Sequence, residues 1–150
     1  QLFVDVTRLL FTKLHERFED LSTFFFHNSI YDRVWSDFRR LRAYPTEQLL
    51  QRREDTRFVV VGDASMAPEE LESYGGAIYS YSDFNKPPST YWLKRISERF
   101  RHACWLNPIP REHWPETYGS YTLNRVRDFF HMEDMTLGGI KGMVDFLSEK

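Results

Sequence analysis

The chain has 150 residues, of which 41% are hydrophobic and 17% aromatic, and its 20 basic and 22 acidic side chains leave a net charge of −2. That length fits one domain with a proper core, the aromatic content excludes a disordered tail, and the near-balanced charge gives no nucleic-acid footprint. No apolar run approaches the roughly 20 residues that cross a bilayer, no secretory pattern precedes the first helix, and the single Cys104 excludes an internal disulfide, so a cytoplasmic chain is expected.

Leu2, Phe3, Val6, Leu9, Leu10, Leu14 and Phe18 recur at helical spacing and predict an amphipathic helix to about Phe18. Residue 1 is Gln and no cap or turn precedes the pattern, so the chain reads as beginning inside or just before its first helix. Leu21 to His27 reads as an aromatic-rich strand. After Asn28-Ser29, the stretch from Ile30 to Trp35 reads as a short antiparallel partner, expected at a sheet edge. The clusters Arg39-Arg40-Leu41-Arg42 and Arg52-Arg53 read as solvated faces. Pro45-Thr46-Glu47-Gln48 opens a helix that runs to about Arg53.

The most informative stretch follows. Phe58 to Val61 is an unbroken apolar run, three of its four residues β-branched, as a strand buried on both faces requires. Gly62 lets the chain turn, and Asp63 and Ser65 fall just beyond the strand's carboxyl end, where open α/β sheets place their ligand sites. Two readings stand for this acid and hydroxyl. Either one caps the helix announced by Pro68-Glu69-Glu70-Leu71, or Asp63 serves as a cation ligand or a phosphate-chemistry residue.

Tyr74 to Pro88 is a polar loop without periodicity. Its aromatics Tyr74, Tyr79, Tyr81 and Phe84, with Tyr91 beyond, suit either a contact surface or packing of the loop on the sheet. Ser89 reads as the cap of a helix with Tyr91, Trp92, Ile96 and Phe100 on one face. His102 to Leu106 is a second buried strand, closed by Asn107-Pro108. Helices from Thr122 to Phe130 and from Leu137 to Leu147 finish the chain. Strands alternating with helices predict a doubly wound, mostly parallel α/β sheet with helices on both faces. The strands at Thr23 to His27, Phe58 to Val61 and His102 to Leu106 are expected side by side.

Most chemical motifs are missing. The five histidines, His15, His27, His102, His113 and His131, are scattered without zinc-ligand spacing. No glycine-rich phosphate loop or dinucleotide fingerprint is present, and Gly62-Asp63-Ala64-Ser65-Met66 lacks the closing glycine of a nucleophile elbow. Cys104 lies within a strand, away from evident cations, which disfavours a thiolate nucleophile.

Three blocks carry a resemblance. Phe25-Phe26-His27-Asn28 with Tyr31-Asp32 and Val34-Trp35, then Val61-Gly62-Asp63-Ala64-Ser65-Met66, then Trp105-Leu106-Asn107-Pro108, resemble in order and spacing the CoxE-like branch of the von Willebrand factor A domain proteins. The resemblance spans nearly all of residues 1–150 and implies a partial domain of that type, lacking its first strand. One sheet edge is then expected to be unpaired.

In that family a metal-ion-dependent adhesion site at the sheet rim is built from three loops. Asp63 matches the third-loop aspartate, and Thr46 is the candidate for the second-loop threonine. The first loop has no counterpart and would lie just before Gln1. The resemblance therefore implies a site for Mg2+ or another divalent cation, weak or absent in this chain because one carboxylate and one hydroxyl are few for octahedral oxygen ligation. It also implies binding rather than turnover, through a protein partner's acidic group, with a MoxR-type AAA+ ATPase in protein or metalloenzyme maturation. Neither nucleic acid nor membrane is an expected partner. The alternative is a phosphoryl-transfer or phosphatase-type α/β enzyme using Asp63.

Overall fold

The computed structural model describes residues 2–74 and 86–150, with side chains from Asp5 onward. Its centre is a parallel sheet of β3 (Arg57–Val61), β4 (His102–Asn107) and β5 (His131–Asp134), in that spatial order. Val59 stands opposite Cys104, and Leu106 opposite Glu133. The middle strand β4 is buried at every position. The apolar run Ala103 to Leu106 at its middle follows from that, because a central parallel strand has no solvated face.

Alternate side chains enter two cores. On one face Val60, Ala103, Trp105 and Met132 pack against Leu71 of α3 (Pro68–Glu72), Leu93 and Ile96 of α4 (Ser89–Arg99), and Leu123 and Val126 of α5 (Ser120–Arg127). On the other, Cys104 and Leu106 pack against Val6, Leu10 and Leu14 of α1 (Leu2–Arg17) and Ile140, Met143 and Leu147 of α6 (Leu137–Leu147). Period-two strands thus meet period-3.6 helices on both sides. Arg57 at the start of β3 donates from Nε to the carbonyl of Leu147 at 2.7 Å, satisfying one of the carbonyls that a helix end leaves open.

The sheet differs from the sequence expectation in its membership. The segment Thr23 to His27 is not one of the parallel strands. Phe25 makes an isolated antiparallel bridge to Trp35, and at Asn28 the backbone enters the left-handed region with φ 62°, turning the chain at once. Aromatic β-propensity is here satisfied by side-chain packing, Phe24 on Tyr44 and Phe26 on Trp105, instead of by a ladder. The third parallel strand is β5, hidden in the sequence by its charged residues. Its exposed His131 pairs with Glu133 at 2.9 Å, while Met132 and Asp134 point inward.

The antiparallel strand expected at an edge of the main sheet lies elsewhere too. β1 (Arg33–Trp35) forms its ladder with β2 (Ala43–Pro45), a two-stranded hairpin separate from the main sheet with Val34 opposite Tyr44, and Trp35 adds the bridge to Phe25. The hairpin leads directly into α2 (Thr46–Leu50), whose Leu49 and Leu50 join the core on the α4 side. Among the described residues β3 has a partner on one side only, and Val61 is exposed at that edge. No helix among the described residues is long and apolar enough to cross a membrane.

Candidate functional site

All three parallel strands deliver polar residues to one rim, at their carboxyl ends. β3 is followed by Asp63, β4 ends at Asn107 and β5 ends at Asp134. The turn after β3 is held from several directions. Asp63 Oδ1 accepts from the Ser65 N–H at 3.0 Å, an Asx-type turn closed by its own carboxylate. Ala64 sits in the left-handed region with φ 58° and is buried, a conformation an alanine holds only when its surroundings fix it.

Those surroundings belong to the start of α5. The buried Thr122 hydroxyl lies 2.9 Å from the Ala64 carbonyl and 3.1 Å from the Met66 N–H, which donates to it. Ser65 Oγ accepts from the Gly119 N–H at 3.0 Å. A β-carbon at Gly119 would stand 2.6 Å from Ser65 Cα and 2.8 Å from its carbonyl carbon, so only glycine permits this approach. The expected role of Ser65 as a cap is therefore corrected. The residue before α3 is Ala67, whose N–H is met by Glu70 Oε2 at 3.1 Å, and the Ser65 hydroxyl faces α5 instead.

Along the rest of the rim, Asn107 is fully buried. Its Nδ2 donates to the Asp63 carbonyl at 3.0 Å and its Oδ1 accepts from Ile109 N–H at 2.9 Å. Asp134 accepts from the Arg111 N–H at 2.9 Å and from the Thr136 hydroxyl at 2.6 Å, and Thr136 in turn caps α6 by accepting from Gly139 N–H at 3.1 Å. The Asp134 carboxylate is thus committed to structure on both oxygens. The Asp63 side chain is exposed, and Oδ1 is the oxygen that closes the turn.

Thr46 has a different setting. It opens α2, its side chain is 0% exposed, and its hydroxyl donates to the Tyr31 carbonyl at 2.6 Å while its N–H donates to the Asp32 carbonyl at 2.9 Å. It seals the junction between the Tyr31–Asp32 segment and α2. Asp63, by contrast, stands at the open end of the parallel sheet. Among the described residues no three His, Cys, Asp or Glu side chains gather as a metal ligand set. Among the described residues, the exposed Asp63 carboxylate is a hard ligand that the rim can offer a cation.

Two further expectations are settled by burial. Cys104 is fully buried, and desolvation, with the charge of Glu133 second, pushes its thiol up to about 12, so it stays a protonated core residue at neutral pH. Ser89 is the first residue of α4 and not its cap: its hydroxyl donates to the Ile30 carbonyl at 2.7 Å and contacts Ser29 Oγ. Tyr74 and Tyr91 are exposed, whereas Tyr79, Tyr81 and Phe84 lie outside the described residues.

The residues that sequence reasoning missed are the supports. Asn107 carried a signal as the last polar residue of a buried strand, and Thr136 as a hydroxyl directly before an apolar helical pattern. Thr122 and Gly119 carried none, since their work depends on a turn 54 or more residues away. The fold is mixed α/β, a parallel three-stranded sheet flanked by helices. No family model, curated protein or solved structure matches the chain.

Proposed function

We propose that this chain is a binding module whose contact point is the Asp63 rim, and that Asp63 contributes a carboxylate oxygen to a divalent cation shared with an acidic group of a partner protein. The carrying observation is the exposed Asp63 carboxylate at the carboxyl end of β3, on a turn clamped by Thr122, Asn107 and Gly119. Preorganisation of that kind holds a ligand oxygen in place before the ion arrives. The parallel sheet with helices on both faces is in keeping with the doubly wound architecture of the CoxE-like von Willebrand factor A proteins. That resemblance also supplies the proposed partner, a MoxR-type AAA+ ATPase acting in protein or metalloenzyme maturation.

In this reading Mg2+ binds weakly, because most of its octahedral shell is water and the partner's carboxylate completes it. Thr46 supports the arrangement by fixing the start of α2 through Tyr31, and the ligand role rests on Asp63. Mn2+ used as a paramagnetic probe tests the reading. Amide resonances of Gly62 to Met66 should broaden before others in the wild-type chain, and Asp63→Asn should remove that selectivity while leaving the remaining spectrum folded. Uniform broadening, or the same selective pattern in Asp63→Asn, refutes the assignment. Metal-dependent phosphate release lost in Asp63→Asn would favour the phosphoryl-transfer alternative.

A further inference from the structure

The connection between β1 and β2 is a seven-residue finger, Ser36 to Arg42, and it inverts the usual placement of side chains. Phe38 is 72% exposed and Leu41 is 77% exposed, although both are large and apolar. They are not on a loose loop. Asp37 Oδ1 accepts from Leu41 N–H at 3.0 Å and from Arg42 N–H at 2.8 Å, and the Asp37 carbonyl accepts from Arg40 N–H at 3.2 Å. Ser36 N–H closes the base on the Arg42 carbonyl at 3.0 Å, and Arg40 takes the left-handed conformation with φ 59°. A single carboxylate therefore organises the finger from inside and turns its side chains outward.

Three arginines, Arg39, Arg40 and Arg42, share the finger with the two apolar side chains. Arg39 lies over the Phe38 ring at 5.6 Å and Arg40 over the Trp35 ring at 5.9 Å, and neither pairs with a carboxylate among the described residues. With Asp37 occupied by backbone donors, Ser36 to Arg42 carries a formal +2 in a chain of net −2, leaving −4 on the rest. The finger thus joins a local positive charge to exposed apolar side chains.

We propose that this finger is a docking tip for an anionic phospholipid surface. Phe38 and Leu41 enter the boundary between headgroups and acyl chains, and Arg39, Arg40 and Arg42 engage the lipid phosphates. Size favours a lipid surface over a protein. A seven-residue connection with two exposed apolar side chains is small beside the roughly 800 Å² per partner of a stable protein interface, while a bilayer accommodates exposed apolar side chains and offers phosphate just above apolar depth. The bound state is peripheral, and it uses none of the residues of the Asp63 turn.

Co-sedimentation of the chain with phosphatidylcholine vesicles, with and without phosphatidylserine, tests the proposal. Binding is expected to the anionic vesicles only and to weaken with added salt. Phe38→Ser with Leu41→Ser should lower the partition about tenfold or more, and each of Arg39→Gln and Arg40→Gln should lower it about fivefold. All four positions are solvent-facing, so circular dichroism should report an unchanged fold. No binding to anionic vesicles, or full binding by the Phe38→Ser, Leu41→Ser variant, overturns it. So does equal affinity for polyglutamate or a single-stranded oligonucleotide that ignores the serine substitutions, which would mark a general polyanion site.

Discussion

Asn107 Nδ2 donates to the Asp63 carbonyl at 3.0 Å, so the end of the middle strand holds the acid-bearing turn of its neighbour. The amide is fully buried and its other end meets Ile109 N–H. Asn107→Leu keeps the branched shape, adds some volume and removes both bonds, stranding two backbone groups. Urea unfolding should show a loss of about 2 to 4 kcal/mol, one to three for each stranded group with partial relaxation. Asp63 would also lose its fixed position, so the Mn2+ selectivity described above should fade without any change at the carboxylate itself.

Thr46→Val is nearly isosteric and deletes the donor to Tyr31. The Tyr31 side chain is anchored separately, its hydroxyl donating to the Glu70 carbonyl. The loss should therefore be confined to one hydrogen bond, about 1 to 2 kcal/mol in chemical denaturation. A loss of Mn2+ selectivity at Gly62 to Met66 in the folded variant would show instead that the threonine acts on the cation site.

The finger should keep its shape to unusually low pH. Backbone N–H groups, that of Arg42 foremost, hold the Asp37 carboxyl below its ordinary value of 3.8. A depressed folded value means that the stabilising contribution is present above the unfolded pKa and disappears as pH falls through the folded one. Leu41 and Arg42 amide shifts should therefore titrate with a midpoint below the ordinary aspartate value. A midpoint at or above the ordinary aspartate value would show that the carboxylate does not organise the turn.

The unpartnered side of β3 makes a further outcome testable. Val61 is exposed on a β-branched strand whose outer backbone groups have no ladder among the described residues, a template for pairing with another chain. Val61→Lys places a charge at that edge and should reduce concentration-dependent light scattering during thermal ramps, with little change in the monomer's unfolding midpoint. Equal scattering by both proteins would place self-association elsewhere.

Phe58 to Val61 and Ala103 to Leu106 announce parallel strands in sequence as unbroken apolar runs, but only β4 is buried at every position, whereas β3 is half-buried and exposes Val61 at the sheet edge. The stripes of α1 and α6 are legible because one face is dry, and Asp63 is legible as a strand-end acid. Local pattern could not decide which segment completes the sheet. His131–Asp134 enters as β5 because its charged side chains find partners at the edge, while the more apolar Thr23–His27 is diverted by the turn at Asn28. Nor could it show that Ser65 serves Gly119, that Thr46 is sealed under Tyr31, or that Asp134 is buried and committed to Thr136 while Asp63 stays exposed. Periodicity records only whether a position is wet or dry. Which hydroxyl meets which carbonyl is set by chain segments that come together only when the cores on the two sheet faces close.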